Sequence, residues 1–361
     1  MRVQFFVFCA MTSFSGLALA ESVETSVRPE SRPNADAVTA VQTAKLTSKI
    51  RPNARPNVIK KDRAVTPEAI LAATSNAGFK RWISAFRGRA LNAGISPAAF
   101  DQSFRDVVYL PKVIERDRNQ SEFTKTIWDY LDSAASDRRI ANGKAALETH
   151  RAKLDAIEAK YGVEKEVVVA VWGLESAYGE FRGDTPIVSA LATLSYDGRR
   201  GRFFESQLVA ALKILQSGDT TLENMTGSWA GAMGHTQFIP TSYLDHAVDF
   251  TGDGRRDIWA DDPSDALAST AAYLSKFGWQ TGQPWGVEVT LPNGFNYDLA
   301  NRKIKRAPAD WAGLGVLDVD GKPVPDHGVG AILLPAGARG AVFMVFDNFK
   351  VIERYNAADA Y

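Results

Sequence analysis

Val167-Val168-Val169-Ala170-Val171-Trp172-Gly173-Leu174-Glu175-Ser176-Ala177-Tyr178-Gly179 decides how this chain is read. The residues from Val167 to Leu174 are apolar with no polar stripe, and a helix of that kind belongs inside a larger core. Glu175 follows at once. A carboxylate at the end of a buried helix is an unusual placement. Desolvation penalises its charged form, and the negative end of the helix dipole, with Gly179 as the cap, repels it. A carboxyl group held protonated near neutral pH is what proton donation to a leaving oxygen requires. Taken alone, the same glutamate also fits a helix that surfaces into water, so the rest of the chain has to decide.

Working outward, helix signals dominate. Thr66-Pro67 and Ser96-Pro97 each pair an N-cap residue with proline at the first helical position. Phe79, Trp82, Ile83 and Phe86 recur at helical spacing. Further helical patterns run through roughly 122–131 and 138–160. Thr185-Pro186 is expected to open another helix, and Phe204, Leu208, Ala211 and Leu215 line one face of the next. Residues 163–278 therefore read as almost wholly helical. Past Gly278 the texture changes. Residues 286–291 and 341–346 look like short strands separated by turns such as Pro292-Asn293-Gly294. The fold class is mainly α, with a small C-terminal part that contains β-structure.

The N-terminus reads as an address. Arg2, an apolar run from Phe5 to Leu17 and the small-x-small site Ala18-Leu19-Ala20 form a secretory signal peptide over residues 1–20. Residues 21–63 lack aromatics, carry Pro29, Pro33, Pro52 and Pro56, and read as a disordered leader. Residues 64–361 are left as one folded unit. Cys9, the single cysteine, lies in the signal peptide, so the exported chain has no disulfide and no cysteine metal site. No later segment is apolar enough to cross a membrane. Lysine plus arginine and aspartate plus glutamate stand at 42 each, which gives no electrostatic case for nucleic acid. His150, His235, His246 and His327 form no zinc-ligand pattern.

Three more motifs follow in order. Gly227-Ser228-Trp229-Ala230-Gly231-Ala232-Met233-Gly234-His235-Thr236-Gln237-Phe238-Ile239-Pro240 is the second, Val248-Asp249-Phe250-Thr251-Gly252-Asp253-Gly254 the third, and Arg354-Tyr355-Asn356 the fourth. With Glu175-Ser176-Ala177-Tyr178-Gly179 they resemble the lytic murein transglycosylases, specifically the membrane-bound lytic transglycosylase B family. The likeness extends from about Val65 to Asn356. It implies a lysozyme-like α-helical core, at about 163–278, flanked by an N-terminal helical segment and a small β-containing part. It also implies a periplasmic enzyme that cleaves the β-1,4 bond between N-acetylmuramic acid and N-acetylglucosamine in peptidoglycan glycan strands. No cofactor is required, and one glutamate acts first as acid, then as base, leaving a 1,6-anhydro sugar. Six residues follow Tyr355, fewer than the resemblance leads one to expect.

Carried over residue by residue, the resemblance makes Glu175 catalytic and puts Ser228 and Gln237 beside it, where a hydroxyl and an amide suit the substrate's N-acetyl group. Tyr273 and Tyr355 fall at cleft tyrosines, and Arg199 and Arg200 at an arginine pair near a substrate carboxylate. As isolated residues the tyrosines fit core packing equally, and the arginines a solvated helix face. Tyr178, one helical turn from Glu175, reads as packing.

Asp249, Thr251 and Asp253 supply oxygens at positions one, three and five of a calcium-type loop, with the carbonyl of Arg255 at seven. Ala260 stands where an acidic residue closes such loops, and the family's lengthened variant makes Asp265 the matching ligand. A structural calcium and an Asp/Gly-rich surface turn both fit this stretch. Two other functions compete with the first: a muramidase using water, for which Asp184 and Asp197 are the nearest downstream second carboxylates, and a non-catalytic peptidoglycan-binding module. Both aspartates sit in turn contexts, which favours one carboxylate over two.

Overall fold

Proline punctuation sets the first helices. In the computed structural model, which describes residues 67–119, 127–359 and 361, α1 (Pro67–Asn92) begins at its proline. The segments expected to be a signal peptide (1–20) and a leader (21–63) lie outside the described residues. Phe79 and Phe86 of α1 are buried, and Trp82 stacks on Phe86 with ring centroids 5.1 Å apart. Ser96 caps α2 (Pro97–Ser103), its hydroxyl accepting from Ala99 N at 3.2 Å. α3 (Pro111–Arg118) and α4 (Ile127–Ala134) follow. The pattern read as one helix over 138–160 is two, α5 (Asp137–Thr149) and α6 (Arg151–Tyr161). His150 breaks it, with φ −107° and ψ 15°.

The centre of the molecule is built from α7 (Lys165–Ser176), α8 (Ile187–Asp197), α9 (Gly201–Ser217), α10 (Pro240–His246) and α11 (Ser264–Lys276). Val168, Leu191, Leu208, Leu212, Leu267 and Leu274 are fully shielded and belong to one core. Burial on this scale is the main favourable term in folding. Two long connections, residues 218–239 and 247–263, are not helical, which corrects the near-continuous helical reading of 163–278. Their glycines and Asx residues favour turns over helix. The helix expected at Thr185-Pro186 is α8, which begins at Ile187 with Pro186 as its N-cap, and the dipeptide itself, as β1 (Thr185–Pro186), pairs antiparallel with β2 (Thr226–Gly227).

The C-terminal part holds an antiparallel sheet, order β4-β3-β6-β5, from β3 (Gly286–Thr290), β4 (Leu317–Asp318), β5 (Ala331–Leu333) and β6 (Val342–Val345). β3 and β6 match the two predicted strands; β4 and β5 are too short to leave a period in the sequence. Trp311, on α12 (Pro308–Gly313), fills a second core under one face and donates from Nε1 to Gly330 O at 2.9 Å. Then α13 (Asp347–Tyr355) returns the chain to α11. The mainly α reading holds.

Candidate active site

Glu175 lies in the last turn of α7. The helix is not apolar-buried all round: Val168, Val169, Val171, Trp172 and Gly173 are buried, but Ala170 is exposed. The cap is not Gly179 either. Ala177 (φ 50°), Tyr178 (φ 63°) and Gly179 (φ 87°) are all left-handed. Two such non-glycine residues in a row cost about 1–2 kcal/mol each and need support. Support comes from Ser176, whose buried Oγ donates to His235 O at 2.5 Å and accepts from Gly179 N at 3.0 Å. It also comes from the Tyr178 hydroxyl, which donates to Arg139 O at 2.8 Å. Gly173 makes room for that ring, since a Cβ there would lie 2.6 Å from Tyr178.

Among the described residues the Glu175 carboxyl has one hydrogen-bond partner, the Tyr361 hydroxyl, which donates to Oε1 at 2.8 Å. Burial pushes the Glu175 pKa up, the Tyr361 bond pulls it down, and it settles at about 7. The charge on Glu175 in turn raises the pKa of Tyr355 and of Tyr130, on top of their burial. Tyr130 of α4 and Tyr355 at the end of α13 thus feel the carboxyl that Tyr361 bonds directly. Neither downstream aspartate joins them: Asp197 pairs with Arg118 at 2.6 Å, and Asp184 is exposed. The sequence reading missed Tyr361 and Tyr130, for which no motif or periodicity gives a signal.

Residues 227–240 form the facing wall. Ser228 Oγ accepts from Ala232 N at 3.0 Å, so its own O–H is what it offers outward. Gln237 has φ 54°, and its Nε2 donates to Gly234 O at 2.8 Å and Arg182 O at 3.2 Å. With its N–H groups engaged, Gln237 presents Oε1 as an acceptor. His235 is a further residue that sequence reading passed over, though it stands in the second motif. Trp172 Nε1 donates to its Nδ1 at 3.1 Å, which leaves Nε2–H to donate to Ala260 O at 2.7 Å. Burial lowers its pKa and keeps it neutral. Arg182 donates to Trp259 O at 2.6 Å and Ala260 O at 3.2 Å.

The remaining candidates separate. The Tyr355 hydroxyl donates to Thr236 O at 2.7 Å, beside Gln237. Tyr273 is only 7% exposed, its hydroxyl donates to Arg354 O at 2.6 Å, and its ring meets Tyr355 edge-on at 5.2 Å. It stands behind Tyr355. Arg199 grips the buried Asp117 of α3, Nε to Oδ2 at 2.6 Å, and Arg200 lies over Phe203 and Phe204 at 4.8 and 5.0 Å.

Asp249, Asp253 and Asp265 do converge, with carboxylate oxygens within 4.8 Å of one another. Asp265 is 3% exposed and belongs to the first turn of α11. Its Oδ1 accepts from Phe250 N and Thr251 N at 2.9 and 3.1 Å, which draws the loop onto it. Arg255 N donates to Asp253 Oδ1 at 2.9 Å. Three gathered carboxylates, one of them buried, suit a hard divalent cation.

Residues 78–361 match the model of the transglycosylase SLT domain. Membrane-bound lytic murein transglycosylase B of Escherichia coli (strain K12) is 34% identical over 229 residues, which is 62% of this chain and 60% of the relative. The chain thus spans about 60% of the length of that curated relative. SltB3 from Pseudomonas aeruginosa, solved in complex with NAG-NAM-pentapeptide, is 50% identical with TM-score 0.76, covering 78% of this chain and 76% of that one. Escherichia coli Slt35, solved in complex with calcium, is 28% identical with TM-score 0.66, covering 79% and 89%.

Proposed function

The chain belongs to the transglycosylase SLT domain family, with a lysozyme-like helical fold, and from that premise we propose that it is a peptidoglycan lytic transglycosylase in which Glu175 is the sole acid–base group. One observation carries this reading: a buried carboxyl, poised near neutrality and bonded by the Tyr361 hydroxyl, on which no second carboxylate acts among the described residues. A pKa of about 7 makes both protonation states available at neutral pH.

Protonated Glu175 donates to the oxygen between N-acetylmuramic acid and N-acetylglucosamine. As that C1–O bond breaks, positive charge develops at C1 of the muramic residue. The Ser228 O–H and Gln237 Oε1 orient the N-acetyl group, donor to its carbonyl and acceptor for its N–H, so that it shields this centre. Glu175 is now a carboxylate, which the Tyr361 hydroxyl stabilises. It takes the proton of the muramic C6 hydroxyl as that oxygen bonds to C1. The 1,6-anhydro ring closes, the proton is back on Glu175, and no water is consumed. Tyr355 packs the site, Tyr273 acts through Tyr355, and Arg199 and Arg200 stay candidates for a substrate carboxylate further along the cleft.

The folded unit is assigned to residues 64–361, with the catalytic core at about 163–278 and the irregular 218–239 connection as part of it. Asp249, Thr251, Asp253, the Arg255 carbonyl and Asp265 would hold calcium, which supplies structural cross-linking of the loop and no chemistry. The gathered carboxylates support this, as does the calcium complex of Slt35. Export to the periplasm rests on residues 1–20; among the described residues no helix is long and apolar enough to cross a membrane.

The test is substitution. Glu175→Gln keeps the shape but cannot donate and retake a proton, and should lower turnover of purified sacculi by at least about 10²–10⁴-fold. Asp184→Asn and Asp197→Asn should cost far less. Near wild-type turnover by Glu175→Gln would remove the mechanism.

A further inference from the structure

Phe181 is the most exposed large apolar side chain among the described residues, at 68%. Its backbone is nevertheless fixed on both sides. Phe181 N donates to Ser176 O at 2.9 Å, one residue from Glu175. The next residue, Arg182, is held through its guanidinium by Trp259 O and Ala260 O, and through its carbonyl by Gln237. Gly183 then lies against the facing wall, where a Cβ would sit 2.2 Å from the Gly227 carbonyl and 2.7 Å from Ser228 N. No residue but glycine fits there. The arm 180–184 is therefore clamped between the end of α7 and the wall that carries Ser228 and Gln237, and it presents one phenyl ring to solvent.

A ring placed this way does little for the fold, because a mostly exposed side chain buries little area. It does suit a ligand. The backbone beneath it is already ordered, so binding costs little conformational entropy. A pyranose has an apolar C–H face that a flat aromatic covers well, and aromatics give large contact area with few rotatable bonds. Strongly charged side chains at this position would instead read the lactyl or peptide carboxylates of the wall polymer.

We infer that Phe181 is a specificity-determining residue whose ring stacks on the C–H face of the sugar bound next to Glu175. The inference rests on the proposed transglycosylase reading and adds the residue that grips the strand beside the scissile bond. It places the contact on the sugar ring, so the stem peptide is not needed for it.

The experiment compares wild type, Phe181→Ala and Phe181→Trp on two substrates, native glycan strands and strands stripped of peptides by an amidase. Phe181→Ala should raise KM about fivefold to tenfold on both, in line with the loss of one aromatic contact, while kcat moves less than about twofold. Phe181→Trp should restore KM, and the melting temperature should match wild type because the residue is exposed. An unchanged KM overturns the inference. So does a rise confined to peptide-bearing strands, or a wild-type enzyme that ignores stripped strands, since either puts the contact on the peptide. Failure of the underlying reading looks different: wild type itself would release no 1,6-anhydro ends from native strands.

Discussion

The Tyr361 hydroxyl donates to Glu175 Oε1 at 2.8 Å across 186 positions of sequence. The bond favours the ionised carboxylate and so opposes the burial that favours the neutral acid. The proposed double role of Glu175, donor and then acceptor, requires such a balance.

Removing that hydroxyl tips the balance. Tyr361→Phe should move the high-pH limb of the kcat profile upward, because burial then acts on Glu175 unopposed. It should also lower kcat by about tenfold, the scale of a hydrogen bond to a charged group. A pH–rate profile that superimposes on wild type would show that the contact has no part in turnover.

Glu175 should also cost stability. Its pKa is raised from 4.5 to about 7, so below pH 4.5 it is neutral in both folded and unfolded chains and contributes nothing. As pH rises from 4.5 to 7 the unfolded chain releases its proton first, and stability falls, by up to about 3 kcal/mol above pH 7. Glu175→Gln removes the penalty. Urea unfolding should find that variant more stable than wild type at pH 8 and equal to it at pH 4. Equal stability at both pH values would mean that the carboxyl is not desolvated.

Calcium should raise the melting temperature of the wild-type protein, since a ligand that binds only the folded state stabilises it. At a free concentration 100 times the dissociation constant, that gain is about 2.7 kcal/mol. Asp253→Ala should abolish the response. Asp265→Ala should abolish it and also destabilise the calcium-free protein by about 1–3 kcal/mol, because the Phe250, Thr251 and Asp257 N–H groups lose their acceptor. No calcium response in the wild type would leave an Asp-rich turn.

What was legible in the sequence follows from range. Ser96-Pro97 and Pro67 act within one turn of helix, and both starts appear where they were read. The strands 286–291 and 341–346 were visible through their punctuation. Tertiary demands were not. His150 interrupts a continuous helical pattern, and Thr185-Pro186, which does precede a helix, also bridges to Thr226-Gly227, a pairing no local signal announces. The site divides the same way. Glu175, Ser228 and Gln237 stand in motifs, which is what makes them candidates from the sequence alone. Tyr361 and Tyr130 reach Glu175 through the fold alone, and Arg199 carries no sequence mark that it would grip Asp117.

In the proposed reaction one carboxyl completes the cycle without water. Its most direct test is mass spectrometry of the muropeptides released from purified sacculi by the wild-type protein at neutral pH. The expected products are 1,6-anhydromuropeptides, each lighter by one water than the hydrolytic product and without a reducing end. Reducing muropeptides as the main product would contradict this reaction and make the protein a muramidase.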